Sequence, residues 1–192
     1  MKGLTIRSVT QAVGGVLYCN GKRLSDGADD ERQISAVTID SRTVTENSLF
    51  IAVKGERNDG HDFIKECLDK GAAAVISEKI IPDENRPVIV VDSTLKALRD
   101  LASFYRSQLN VKVVGITGSV GKTSTKETIA SVLATRYRVL KTKGNYNNEI
   151  GVPLTVFRIT EDDEVAVLEM GISDFGEMER LTAIAKPDIC VI

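Results

Sequence analysis

The sequence has 192 residues, 42% of them hydrophobic, with 25 Lys and Arg against 27 Asp and Glu, a formal net charge of −2, one His and no Trp. This suits one full domain or two small ones with a buried core and excludes an intrinsically disordered chain. The near-balanced charge excludes a general nucleic-acid binder, and no apolar run approaches the ~20 residues of a membrane-spanning helix. The first residues lead into no secretory apolar core, so a cytoplasmic protein without a membrane or nucleic-acid partner is expected.

From the start to residue 109 the chain alternates short β-rich runs with helical patterns. Residues 35–39 and 48–53 carry β-branched and aromatic side chains between turn-prone polar segments, which predicts strands. Asp62 is placed to cap a helix whose Ile64, Cys67 and Leu68 recur at i, i+3 and i+4. Gly71 stands where a helix C-terminus favours a residue tolerant of positive φ. Residues 73–77 and 88–91 follow as buried strands. Ser93 offers an N-cap to a second helix, with Leu95, Leu98, Ala102, Tyr105 and Leu109 on one stripe, and this helix closes the first unit.

Residues 111–117 begin a second unit. Its order is strand, glycine-rich turn, helix (Lys122 to about residue 134), strand (137–142), loop, strand (165–170), helix (about 176–185) and strand (188–192). Such alternation implies a parallel sheet covered on both faces. The final strand reads as a core strand with nothing after it, so the chain is expected to be the N-terminal piece of a longer protein. Cys19, Cys67 and Cys190 are odd in number and far apart. With His61 as the sole imidazole they match neither a zinc spacing nor a disulfide framework, and buried free thiols are expected.

The strongest chemical signal runs from Gly115 through Gly118, Ser119, Val120 and Gly121 to Lys122, Thr123 and Ser124. An apolar strand enters glycines that let the backbone curl with its N–H groups inward. The helix that follows aims its positive end at the same spot, making a cradle for polyphosphate. In such a loop Lys122 reaches the β- and γ-phosphates and the Thr123 hydroxyl ligates Mg²⁺. Ile116 occupies the position of the general motif's first glycine, so the loop is a variant.

After the next strand, Asn145, Asn147 and Asn148 fall within four residues. They suit an ordinary turn and equally a site that grips a sugar, a carbonyl or a phosphate. Glu169 ends the strand that follows. Ligands of open α/β sheets sit at the carboxyl ends of strands, so Glu169 is a candidate Mg²⁺ ligand, against the plainer reading of an exposed acid. Arg136, Arg138, Lys141 and Lys143 either add positive potential for a polyanion or form a solvated run, and the acids of 161–164 read as a solvated turn. His61 lies beside Gly60 at a helix start, where a structural or substrate-lining role outweighs proton transfer.

Residues 118–127, 144–155 and 169–171 together closely resemble the Mur ligases, a family that uses this shortened phosphate loop. Asp40, Ser41 and Arg42 with Leu49 and Phe50, and residues 59–63 ahead of Gly71 and Ala72, resemble that family's uridine-nucleotide-binding N-terminal domain. The resemblance spans nearly the whole chain. It implies an α/β fold, with a small mixed UDP-MurNAc-peptide-binding domain over 1–109 and the first part of a parallel-sheet, Rossmann-like ATP-binding domain over 110–192. It also implies the reaction: ATP phosphorylates the carboxylate ending a UDP-MurNAc-peptide, and an amine attacks the acyl phosphate and expels phosphate. The asparagine-rich segment favours the member that adds D-alanyl-D-alanine to UDP-N-acetylmuramoyl-tripeptide in peptidoglycan synthesis.

The same resemblance assigns ATP and Mg²⁺ as cofactors. It places the nucleotide on Gly118, Ser119, Val120, Gly121, Lys122, Thr123 and Ser124, and Mg²⁺ on Thr123 and Glu169. Of the catalytic residues Lys122, Asn145 and Asn148, Lys122 neutralises charge on the transferred phosphoryl group and the two asparagines lie where ATP and the acceptor carboxylate meet; Ser41 and Arg42 touch the uridine nucleotide, Asn147 binds substrate, and a monomer is expected. The family continues with more of the central domain and a C-terminal domain that closes over ATP, so this chain alone is expected to lack ligase activity. Two readings stay open beside this one: another ligase of the superfamily, such as MurE or folylpolyglutamate synthase, and a non-catalytic nucleotide- or UDP-sugar-binding module. A P-loop GTPase is disfavoured, since no guanine-reading Asn-Lys-x-Asp element is present.

Overall fold

The computed structural model describes residues 1, 3–24, 30–55 and 58–192. It divides into two units, Met1–Leu101 and Ala102–Ile192. Among the described residues no helix is long and apolar enough to cross a membrane.

The first unit opens with α1 (Ile6–Ala12), held by a reciprocal cap in which Thr5 Oγ1 accepts from Ser8 N at 3.2 Å and Ser8 Oγ accepts from Thr5 N at 2.9 Å. It continues with β1 (Val16–Cys19), β2 (Lys22–Arg23), β3 (Val37–Thr38), β4 (Leu49–Ile51), α2 (Ile64–Asp69), β5 (Ala74–Ser77), β6 (Val88–Val90) and the first half of α3 (Thr94–Ser107), whose residues from Ala102 on belong to the second unit. The sheet order is β2-β1-β6-β5-β4-β3, with β3 to β6 parallel and β1 antiparallel to both neighbours. Strands β4 and β5 are buried along their length, as inner strands of a parallel sheet are.

Ile64, Cys67 and Leu68 pack on Phe50 and Val75, as their spacing predicts. The cap differs from expectation. Asp59, not Asp62, accepts from His61 N at 3.0 Å and starts a 3₁₀ turn over Gly60–Phe63, from which α2 continues with no side-chain cap of its own. An Asp bonds the N–H two residues on where the chain first turns, and Asp62 already lies inside that turn. Gly71 has φ +99°, as its position after α2 requires. Ser93 Oγ accepts from Lys96 N at 3.3 Å at the start of α3. The buried face of α3 is Ala97, Leu98, Leu101, Ala102 and Tyr105, while Leu95 and Leu109 are only half-buried.

The second unit follows the expected order: β7 (Lys112–Ile116), α4 (Lys122–Leu133), β8 (Val139–Lys141), α5 (Gly151–Val156), β9 (Val165–Glu169), α6 (Glu177–Ala185) and β10 (Ile189–Val191). Its four strands are all parallel, in the order β10-β7-β9-β8. Helix α5 replaces part of the predicted loop. Gly151, Pro153 and three β-branched residues make it a poor helix former, but complete burial of Val152 and Val156 outweighs that propensity.

Strand β10 pairs in parallel with β7, with Ile189 opposite Val114 and Val191 opposite Ile116. Cys190 is exposed and Cys19 partly so, leaving Cys67 as the buried thiol among the three.

Arg106, in the last turn of α3, is 7% exposed. Its guanidinium donates to the carbonyls of Leu109 (3.1 Å), Val111 (3.2 Å), Ala185 (3.0 Å) and Lys186 (3.3 Å) and faces Asp188 at 3.7 Å. Five N–H donors in a planar fork let one side chain satisfy chain ends that no regular element pairs.

Two outcomes follow. Arg106→Met leaves those carbonyls unanswered and should cost about 3–5 kcal/mol in urea unfolding. Arg106→Lys should recover only part of it, and a cost under about 1 kcal/mol for Arg106→Met would refute the role. Burial pushes the Cys67 thiol up to about 11, so at pH 8 a thiol reagent should label Cys190 in the folded chain and Cys67 only on unfolding.

Candidate active site

The glycine loop expected to cradle phosphate starts where β7 stops. Ile116 is buried as the last residue of that strand, which explains why no glycine stands there. Gly118 has φ +136° and Gly121 φ +82°. A Cβ at Gly121 would meet nothing within 4 Å, so the left-handed backbone and not crowding demands glycine. Gly121 is the N-cap of α4, with no side chain to occupy the helix's free N–H groups. Lys122 Nζ curls back to donate to the Gly118 carbonyl at 2.6 Å. Ser119, Val120 and Ser124 are exposed.

The register Ile116↔Glu169 sets the Glu169 carboxylate one strand over from the start of this loop. Glu169 is 2% exposed. Its Oε2 accepts from Thr123 Oγ1 at 3.0 Å and its Oε1 from Asn147 Nδ2 at 3.0 Å, while Lys126 Nζ lies 3.6 Å from Oε2. Its backbone N–H donates to the buried Thr142 hydroxyl at 3.0 Å. Asn147 is itself anchored, since its carbonyl accepts from Gly171 N at 2.7 Å. A Cβ on Gly151 would fall 2.4 Å from the Tyr146 backbone, so glycine there lets the asparagine loop pack against the first turn of α5.

These groups fit a Mg²⁺ ion carried by a polyphosphate. Thr123 donates its proton to Glu169, which leaves its oxygen lone pairs free for a hard cation. One hydroxyl and one carboxylate are the sparse oxygen set that Mg²⁺ accepts when phosphates and water complete its shell. Among the described residues no group of three His, Cys, Asp or Glu forms an all-protein metal cage. The Thr117 hydroxyl, between β7 and the loop, is buried without a hydrogen-bond partner, a polar atom that a bound ligand or its water would satisfy.

The three asparagines separate in role. Asn147 reaches Glu169. Asn148 Oδ1 accepts from Ile150 N at 3.1 Å and Gly151 N at 2.8 Å at the start of α5, and Asn145 is exposed. The basic run is partly neutralised by partners from elsewhere in the chain, with Arg138 paired to Glu164 and Lys141 to Glu127. Asp163 Oδ2 accepts from Thr160 N at 2.8 Å at the predicted turn, and Glu164 Oε2 accepts from Arg138 N at 3.0 Å ahead of β8.

Lys126 escapes sequence reading. Only its place three residues after Thr123, on the same face of α4, could have flagged it.

In the first unit, Ser41 and Arg42 sit on a 3₁₀ turn capped by Asp40, which accepts from Arg42 N (3.0 Å), Nε (2.9 Å) and Nη2 (2.6 Å). The guanidinium holds the Asp40 carboxyl down at about 2 and is itself largely exposed. The Ser41 carbonyl accepts from Lys70 Nζ at 2.9 Å. His61 Nε2 accepts from Glu78 N at 3.0 Å, so its proton resides on Nδ1, which donates to Asp59 at 2.6 Å. Both ring nitrogens are thus used in joining the loops after β4 and β5, a structural role.

Two family models match the chain: "Mur ligase family, catalytic domain" over residues 33–106 and "Mur ligase middle domain" over residues 116–192. The chain is 44% identical over 190 residues to the UDP-N-acetylmuramoyl-tripeptide–D-alanyl-D-alanine ligase of Bacillus subtilis, covering 98% of this chain and 40% of that protein. It is 36% identical to the Escherichia coli protein of the same name, covering 100% of this chain and 40% of that one. A crystal structure of MurF from Acinetobacter baumannii superposes with a TM-score of 0.86 at 32% identity, covering 97% of this chain and 40% of that one. A Thermotoga maritima MurF structure in complex with ADP gives 0.73 at 41% identity, covering 80% and 36%. The chain therefore spans about two fifths of the length of these relatives.

The Asp40–Arg42 pair can be tested by NMR titration of the Asp40 carboxyl. Its value lies below that of an unfolded Asp, so what it adds to stability is present above the ordinary Asp range and is lost as pH falls toward about 2. Arg42→Ala, which removes the guanidinium but keeps the Arg42 backbone N–H bond, should raise the midpoint toward the ordinary range, and an unchanged midpoint would refute the pairing.

Proposed function

The chain belongs to the Mur ligase family, and from that premise we propose that it supplies the nucleotide-binding parts of an ATP-dependent, ADP-forming carboxylate–amine ligase. The reaction is the addition of D-alanyl-D-alanine to UDP-N-acetylmuramoyl-tripeptide in peptidoglycan synthesis. The observation that carries the reading is the Thr123–Glu169–Asn147 cluster beside a glycine-built phosphate loop, in a chain whose relatives carry that name.

In this reading residues 1–109 bind the uridine-nucleotide peptide, with Ser41 and Arg42 at the nucleotide and the exposed guanidinium as an anion contact. Residues 110–192 bind ATP. The N–H groups from Gly118 to Ser124 cradle its phosphates, and Lys122 leaves the Gly118 carbonyl to neutralise charge building on the transferred phosphoryl group. Thr123 and Glu169 hold Mg²⁺, which supplies Lewis-acid neutralisation of the phosphate oxygens when bound. Asn145 offers its amide to the acceptor side, and Asn147, with Nδ2 donating to Glu169, has Oδ1 left for substrate. Asn148 has Oδ1 committed to α5 and acts through Nδ2. Phosphorylation is needed because a carboxylate is a poor electrophile; the amine attacks the acyl carbon, and phosphate leaves with the C–O bonding pair.

Phosphate release by the protein at the relatives' full length should require ATP, the UDP-MurNAc-tripeptide and D-alanyl-D-alanine together. Dependence on a different amine or acceptor would replace this reading with another ligase of the superfamily. In calorimetry Lys122→Ala should weaken ADP binding in Mg²⁺ at least tenfold; equal binding would refute the assignment of the loop.

A further inference from the structure

Helix α4 buries two side chains, Ala130 and Lys126. A lysine ordinarily lays its stem on apolar surface and lifts its ammonium into water. Lys126, 1% exposed, instead ends between two carboxylates, 3.2 Å from Glu127 Oε1 and 3.6 Å from Glu169 Oε2. The two acids are not equivalent. Glu127 is half-exposed, and its other oxygen pairs with Lys141 on β8, so its charge is answered from solvent and from a second cation. Glu169 is buried, and its hydrogen-bond partners Thr123 and Asn147 are neutral. Among the described residues Lys126 is its one charged partner. Ammonium and hydroxyl reach the same oxygen because Thr123 and Lys126 stand at i and i+3 on one helix face.

The formal charge at this cluster is the point. Glu169 and Lys126 cancel, and Lys122 at the loop adds one positive charge. A carboxylate already matched by a buried ammonium has little attraction left for a free divalent ion, and the ion would be repelled by two nearby cations. A cation that arrives with a polyphosphate brings its own negative charge and meets the opposite situation. We infer that Lys126 is a positioning residue that holds Glu169 toward Thr123 and makes the site accept a divalent cation together with a polyphosphate while rejecting the free ion. This deepens the nucleotide-site reading and rests on it.

The test measures binding, without turnover. Mn²⁺ binding to the 192-residue chain, followed by electron paramagnetic resonance with and without ADP, is compared for wild type, Lys126→Met and Lys126→Arg. Lys126→Met should bind free Mn²⁺ at least tenfold more tightly than wild type and bind metal-free ADP more weakly, because one positive charge has gone. Lys126→Arg, which keeps the charge, should stay close to wild type. If circular dichroism shows that Lys126→Met does not fold, Lys126→Gln keeps a donor at the buried end and takes its place. Unchanged or undetectable free Mn²⁺ binding in the folded neutral variant overturns the inference. Failure of wild type to bind ADP in any metal overturns the nucleotide reading instead, and the free-Mn²⁺ comparison is read separately from it.

Discussion

A carboxylate buried to 2% exposure constrains everything around it. Taking its charge out of water costs several kcal/mol unless hydrogen bonds and a counter-charge replace the lost hydration. The Glu169 carboxylate receives them from two directions, Thr123 and Lys126 from α4 and Asn147 from the loop after β8, while its backbone N–H is held by donating to the Thr142 hydroxyl. Each depends on an element being in one place. The Ile116↔Glu169 register sets β7 against β9, α4 must leave the loop at the pitch that puts Thr123 and Lys126 on one face, and Gly151 must let the asparagine loop close on α5. Satisfying one buried charge therefore fixes how the glycine loop, α4 and the asparagine loop are placed around it.

The same economy of polar groups organises the first unit. Asp40 and Asp59 each follow a strand of the parallel sheet and each caps a 3₁₀ turn. Asp59 holds His61, His61 accepts from the Glu78 backbone, and the Glu78 carboxylate accepts from Thr94 N at 2.8 Å at the head of α3. The loops at the carboxyl ends of β4 and β5 are thereby tied to one another and to a helix, at the end of the sheet where α/β proteins place their ligands. Arg106 plays the matching part in the second unit, gathering carbonyls at the ends of α6 and ahead of β7.

Much of the site was legible in the sequence because it is written in local spacing. Glycines that must adopt positive φ, a Lys-Thr pair opening a helix and an acid ending a strand all follow from a few consecutive residues, and the structure places them as that reading predicts. The separation of the asparagines was not legible. Three amides in four residues look alike until α5 forms, and α5 forms because Val152 and Val156 are buried, against the propensity of its own residues.

By itself the sequence determined the order of most strands and helices and the glycines of the loop before α4 that adopt positive φ, since each depends on periodicity or backbone freedom within one segment. Only the tertiary structure decided that Asp59 rather than Asp62 caps the turn, that Arg106 is buried and that Lys126 faces Glu169. Those facts depend on register between strands and on which charges meet across elements, and neither is encoded in the spacing of residues along one of them.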